Sequence, residues 1–106
     1  MSAFVAWMET INIVINTKDA STLENETIWI LDKNIDTRFE EKLLMHIADN
    51  IYTPQYILDM LADYHDVDVR TSVARNMSKS HSAAVKLSND CEKDVRDIIR
   101  AHYGDL

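Results

Sequence analysis

A chain of 106 residues is long enough for one hydrophobic core and too short for two. With 46% hydrophobic and 27% charged residues, the composition excludes a disordered chain and a membrane protein. Eighteen acids against eleven bases leave a formal charge of −7, which disfavours a surface built to neutralise nucleic-acid phosphates.

The charge is uneven. Residues 1–41 carry Lys18, Lys33 and Arg38 against eight acids, a net −5. Residues 42–106 carry eight bases against ten acids, a net −2. An acidic first third can attract a basic partner, although acidic surfaces also serve solubility alone. A single Gly and a single Pro favour helices joined by short polar turns over an all-β fold. Cys91 is the one cysteine, so a disulfide framework is excluded and a reducing, cytoplasmic setting is expected. The first residues lack a basic segment before their apolar run and read as no signal peptide. No run approaches 18 apolar residues, so no span is expected.

In chain order, Phe4, Trp7, Met8, Ile11, Val14 and Ile15 fall on one stripe of a helix over 3–15. The β-branched density at 11–15, with a similar run at 27–31, leaves a small hairpin as the competing reading. Ser21 and Glu24 have capping-box spacing, which predicts a helix over 22–33 burying Leu23, Thr27, Ile30 and Leu31. Asp36 then caps a helix over 37–49, with Phe39, Leu43 and Ile47 on its inner face. Asn50 ends it, in the left-handed conformation Asn tolerates. Thr53-Pro54 predicts a cap followed by Pro in the first turn of a helix over 54–63. Asp66 caps the next helix, to about Arg75, and Asn76 closes it as Asn50 closed its predecessor. Ser78 or Ser80 caps a helix to about Asn89, and Cys91 or Glu92 begins the last one, which buries Val95, Ile98 and Ile99.

The second half has a period. Asn50 and Asn76 lie 26 residues apart, as do Arg70 and Arg96, Leu61 and Leu87, and Val69 and Val95. Asn50, Thr53-Pro54, Ile57-Leu58, Leu61-Ala62-Asp63, Asp66-Val67-Asp68-Val69-Arg70 and Val73-Ala74-Arg75-Asn76 together resemble one unit of the variant leucine-rich repeat. That family is akin in style to HEAT and armadillo arrays. The match continues more loosely through Leu87 and Asp94-Val95-Arg96, and residues 43–50 resemble the end of an earlier unit. Ile51 and Met77 stand where the family tends to have Pro, and Ser80 stands where Pro54 would recur. The likeness covers roughly residues 43–100 and implies fold, not activity. The iron–sulfur segment of some members has no counterpart, since one cysteine cannot hold a cluster.

The expected architecture is therefore a single all-α domain. Residues 36–103 form a short α-solenoid of stacked helix pairs, and residues 1–35 form an N-terminal helical cap. Such units cannot bury their apolar faces singly, so the ends need covering.

Catalytic and metal chemistry find little footing. His46, His65, His81 and His102 lack paired ligand spacing. Ser80-His81-Ser82 offers a hydroxyl near an imidazole with nothing to orient it. Asp59, Asp63, Asp66 and Asp68 lack the alternation and Gly turn of a calcium loop. No catalytic residue, metal or cofactor is assigned. Arg70 and Arg96 are read as pairing with acids of the preceding unit, Asp63 and Asn89-Asp90 being the candidates, or as an Arg row that grips an anion. Tyr52 and Tyr56, beside Asp59 and Asp63, have the composition of an interface hot spot.

These six residues are the candidate binding set. The expected function is a non-catalytic protein-binding module, a small acidic cytosolic adaptor or inhibitor. Its partner is a basic or nucleic-acid-handling protein, with no direct nucleic-acid or membrane binding. The alternative is a structural homo-oligomer assembled through the N-terminal segment.

Overall fold

Seven α-helices, and no strand, make up the regular structure among the described residues of the computed structural model. Those residues are 3–33, 36–76 and 78–104, with the side chains of 3–6 excluded; the expectations for Phe4 and Met77 lie outside the described residues. The helices are α1 (Ala3–Asn16), α2 (Ala20–Asp32), α3 (Thr37–Asp49), α4 (Gln55–Leu61), α5 (Val67–Arg75), α6 (His81–Ser88) and α7 (Lys93–Tyr103). Residues 11–15 and 27–31 are both helical, so the hairpin reading falls.

Local sequence explains most boundaries. Asp36 accepts from the backbone N–H of Arg38, Asp66 from that of Val69, and Ser80 from that of Ala83, each at a helix start. Four details differ from expectation. Asp19, not Ser21, caps α2: its carboxylate accepts from the Ser21 N–H at 3.2 Å and the Thr22 hydroxyl at 2.8 Å. A carboxylate outcompetes a hydroxyl for these orphan donors because its charge also suits the helix N-terminus. Thr53 does not cap α4; its hydroxyl donates to the Ile47 carbonyl at 2.6 Å, and Pro54 occupies the cap position without a side-chain bond. Leu31 is exposed rather than buried. Finally, neither Asn50 nor Asn76 is left-handed; both are extended, with φ −79° and −75°.

The two asparagines act through their side chains instead. Asn50 Nδ2 donates to the carbonyls of Val14 (3.0 Å) and Thr17 (2.9 Å), at the end of α1. Asn76 Nδ2 donates to those of Ala48 (2.8 Å) and Asn50 (3.0 Å), at the end of α3. Each Oδ1 accepts from the N–H two residues on, Tyr52 at 2.9 Å and Ser78 at 2.8 Å. Each amide thus satisfies helix-end carbonyls of the neighbour that water would otherwise solvate.

These bonds align helix ends. The C-terminus of α3 lies against that of α1, and the C-terminus of α5 against that of α3. At the opposite ends, Trp7 stacks on Phe39 with centroids 5.1 Å apart, and the Tyr64 hydroxyl donates to Glu40 at 2.9 Å. Arg70 spans from α5 to Asp90, just before α7. So α1, α3, α5 and α7 lie side by side and point the same way. Helix α2 packs on α1 and α3, α4 on α3 and α5, and α6 on α4, α5 and α7. The described body measures 49 × 25 × 19 Å, longest by a factor of about two.

One hydrophobic core runs along that length, from Val14, Leu23 and Ile30, through Leu43, Leu44, Ile47, Ile57, Leu58 and Leu61, to Leu87, Val95 and Ile99. Where the first pass has Ile57 and Leu58, the second has Ala83 and Ala84, both fully buried. Small residues there let α6 approach its neighbours closely.

Candidate functional site

The candidate residues sort onto different parts of the molecule. Tyr56 and Asp59 lie in α4, and Asp63 follows its end. Tyr56 is exposed, and the interaction of its hydroxyl with Glu24 of α2 raises its pKa, the hydrogen bond being the largest cause. Asp59 accepts a short hydrogen bond from the Ser80 hydroxyl, which also caps α6. Asp63 pairs with Lys86 of α6 at 2.9 Å, and the same ammonium donates to the Asp59 carbonyl at 3.3 Å. Three of the six therefore share the outer side of α4 and its junction with α6.

Tyr52 stands apart from them. It lies in the turn after α3, exposed, beside a shallow depression of about 250 Å³ lined also by Ile15, Lys18, Asp49 and Ile51.

Arg70 and Arg96 belong to the opposite layer. The Arg70 guanidinium donates to both Asp90 carboxylate oxygens, at 2.8 and 3.3 Å, and to the carbonyls of Tyr64 and His65, both at 2.9 Å. Its partner acid lies on the following unit, not the preceding one, which corrects the expected pairing with Asp63. Arg96 donates to the Asp90 carbonyl at 2.6 Å, 26 residues on from the Arg70–Tyr64 bond. The Arg70 and Asp90 side chains are 12% and 6% exposed, so the planar guanidinium fork is used inside the protein. Burial alone would raise the Asp90 pKa; the bonds from Arg70 and the Glu92 backbone outweigh it, and the net direction is down.

A larger groove, about 540 Å³, opens between α1, α3 and the start of α5. Its apolar lining is Trp7, Phe39 and Met45, and its charged lining is Arg38, Glu41, Lys42, Asp66 and Asp68. The two cations among the three acids give it no single sign.

No group of three His, Cys, Asp or Glu side chains among the described residues could hold a metal ion. His65 sits 3.4 Å from Glu41 and stacks on Tyr64, while Cys91, its counterpart 26 residues on, lies 3.9 Å from Arg70. Ser80, the hydroxyl nearest an imidazole in sequence, is occupied by Asp59 and the α6 cap. No described helix is long and apolar enough to cross a membrane.

Sequence reading passed over the apolar side of this surface. Ile28, Trp29, Leu31 and Met60 are exposed. A signal was present: Ile28-Trp29-Ile30-Leu31 is four apolar residues in succession. On a helix they point in directions about 100° apart, so one buried stripe cannot take them all. Ile30 alone of the four is buried.

Comparison with protein-family models, curated proteins and solved structures finds no match to this chain.

Proposed function

We propose that this chain is a non-catalytic protein-binding module, a small acidic adaptor or inhibitor whose partner is a basic protein. In this reading the scaffold is a short α-solenoid of the variant leucine-rich or HEAT-like kind. Residues 36–103 supply the helix pairs, and α1 and α2 supply the cap. The recurrence at 26 residues supports it, since Asn50 and Asn76 make the same set of bonds, and Arg70 and Arg96 share one.

The observation that carries the binding reading is the distribution of apolar side chains. Ile28, Trp29, Ile51, Tyr52, Tyr56 and Met60 are all exposed, on a chain of formal charge −7. Scattered apolar residues are ordinary on any surface, but large ones on neighbouring helices mark interaction faces. Their acidic setting favours a partner of the opposite sign and gives its approach an ionic-strength dependence.

The test is capture from native extract followed by reconstitution with the purified partner. The expected result is a defined complex by size-exclusion chromatography with light scattering, weakened by salt. Retention of no macromolecule would refute the reading. The alternative, a homo-oligomer through the N-terminal segment, is favoured by exposed Met8, Ile13 and Ile15 on α1. Light scattering of the isolated chain separates the two, because a monomer at high dilution removes the oligomer.

A further inference from the structure

Helices α2 and α4 contain no Lys, Arg or His. Glu24, Glu26 and Asp32 lie in the first, Asp59 in the second, and Asp63 just beyond it. The contact between Tyr56 and Glu24 brings one flank of α2 to α4. On that flank Glu24, Ile28 and Leu31 follow at i, i+4 and i+7, one above another. On α4, Met60 lies one turn from Tyr56, with Asp59 and Asp63 alongside. Ile28 is 55% exposed, Tyr56 54% and Met60 43%, more than a helix interface within the fold would leave in water.

We infer that this α2–α4 face is the docking surface of the module, and that its occupant is a lysine- or arginine-rich amphipathic segment of another protein. The inference rests on the binding reading above and adds the face and the chemistry of the ligand. Apolar side chains of the segment cover Ile28, Tyr56 and Met60. Its cations meet Glu24, Asp59 and Asp63. Lys86 already shows the geometry of that pairing from within the chain, bridging Asp63 and the Asp59 carbonyl. A partner's ammonium or guanidinium competes for the same oxygens.

Charge excludes the other occupants. A second copy placed here across a two-fold axis would set Glu24, Asp59 and Asp63 against their own duplicates as water leaves. Like charges so placed repel, and α2 and α4 offer no base to offset them. Anionic lipid headgroups and nucleic-acid phosphates are repelled for the same reason.

The full chain should be titrated with a synthetic amphipathic leucine–lysine helix, using a leucine–glutamate helix and oligolysine as comparisons. Binding is mapped by backbone amide shifts. The expected result is saturable binding of the leucine–lysine helix, with shifts centred on α2 and α4. Oligolysine should bind more weakly and the acidic helix not at all. Replacing Ile28→Arg together with Met60→Arg should weaken binding by about tenfold or more, while Ile13→Arg on α1 leaves it unchanged. All three changes are at exposed positions, and the amide spectrum of each variant reports directly whether it folds.

Absence of saturable binding would overturn the inference. So would shifts centred on the Trp7–Phe39 groove or the Ile15–Ile51 depression, or dimerisation through α2 and α4. Shifts at another face would leave the binding-module reading intact. That reading fails separately, when no macromolecule is retained from extract.

Discussion

The side-chain amide of Asn76 donates to the backbone carbonyl of Asn50 at 3.0 Å, so a residue at one period bonds its counterpart at the previous one. The Asn50 amide reaches back in turn to Val14 and Thr17. The parallel helices α1, α3 and α5 are thereby joined at their C-terminal ends. An amide is suited to this joint because its NH₂ satisfies two neighbouring carbonyls while its oxygen takes the local N–H.

Replacing Asn76 should therefore cost more than replacing Asn50. Asn76 is 4% exposed, and Asn76→Ala leaves two inward-facing carbonyls and the Ser78 N–H without their partner. A loss of about 2–4 kcal/mol is expected, against about 1–2 kcal/mol for the half-buried Asn50→Ala. Asn76→Asp should be no better, since it removes the donors and adds charge beside carbonyl oxygens. Urea unfolding monitored by circular dichroism measures all three. Equal, small losses for Asn50 and Asn76 would contradict the burial difference.

The Arg70–Asp90 pair should be intolerant of conservative change. Arg70→Lys keeps the charge but cannot reach two carboxylate oxygens and two carbonyls from one plane. Removing one partner alone, as in Asp90→Ala, should cost about 3 kcal/mol, because the remaining charge is left largely buried. Asp90 also has a pKa below its ordinary value in the folded state. Its ionised form is favoured by folding, so its contribution is present above the unfolded pKa of about 4 and is lost as pH falls through the lower folded value. Asp90→Asn should flatten the decline of stability with acid in that window. An unchanged acid limb would show that the pair is not coupled to folding.

Glu26 should behave in the opposite sense. Partial burial in α2 raises its pKa, so the folded state favours the protonated form. That carboxyl costs stability as pH rises from the unfolded pKa through the folded one. Glu26→Gln should raise the Tm slightly at neutral pH, with the gain disappearing below about pH 4. Thermal melts at the two pH values are sufficient to test it.

The two tryptophans should be distinguishable in solution. Trp7 is half-buried against Phe39, whereas Trp29 is 42% exposed on α2. Trp29→Phe should leave blue-shifted emission that acrylamide quenches poorly, with stability within about 0.5 kcal/mol of the parent. Trp7→Phe should leave the red-shifted, readily quenched component. Similar quenching of both would contradict the outward placement of Trp29.

Much of this fold is legible locally. Asp36, Asp66 and Ser80 announce helix starts because a cap bonds an N–H two or three residues away. The stripe of Leu43, Leu44 and Ile47, and that of Val95 and Ile99, identify inner faces because burial follows the 3.6-residue turn. The interval between Asn50 and Asn76 was visible as a number, but its meaning was not. A closing residue suggested a left-handed cap, whereas the amides cross to other helices over 33 and 36 residues of sequence for Asn50 and over 26 and 28 for Asn76.

The candidate surface divides in the same way. Tyr56, Asp59 and Asp63 were found from their types and spacing along a single helix. Ile28, Leu31 and Met60 were not, because whether an apolar residue is core or surface depends on which flank a neighbouring helix covers. By itself the sequence determined helix identity, most caps, the buried stripes and the acidic balance, all set by contacts within a turn or two of chain. Only the tertiary structure decided that Arg70 pairs forward to Asp90, and which apolar side chains remain in water. Those outcomes depend on how helices distant in sequence lie against one another, and no local pattern encodes that geometry.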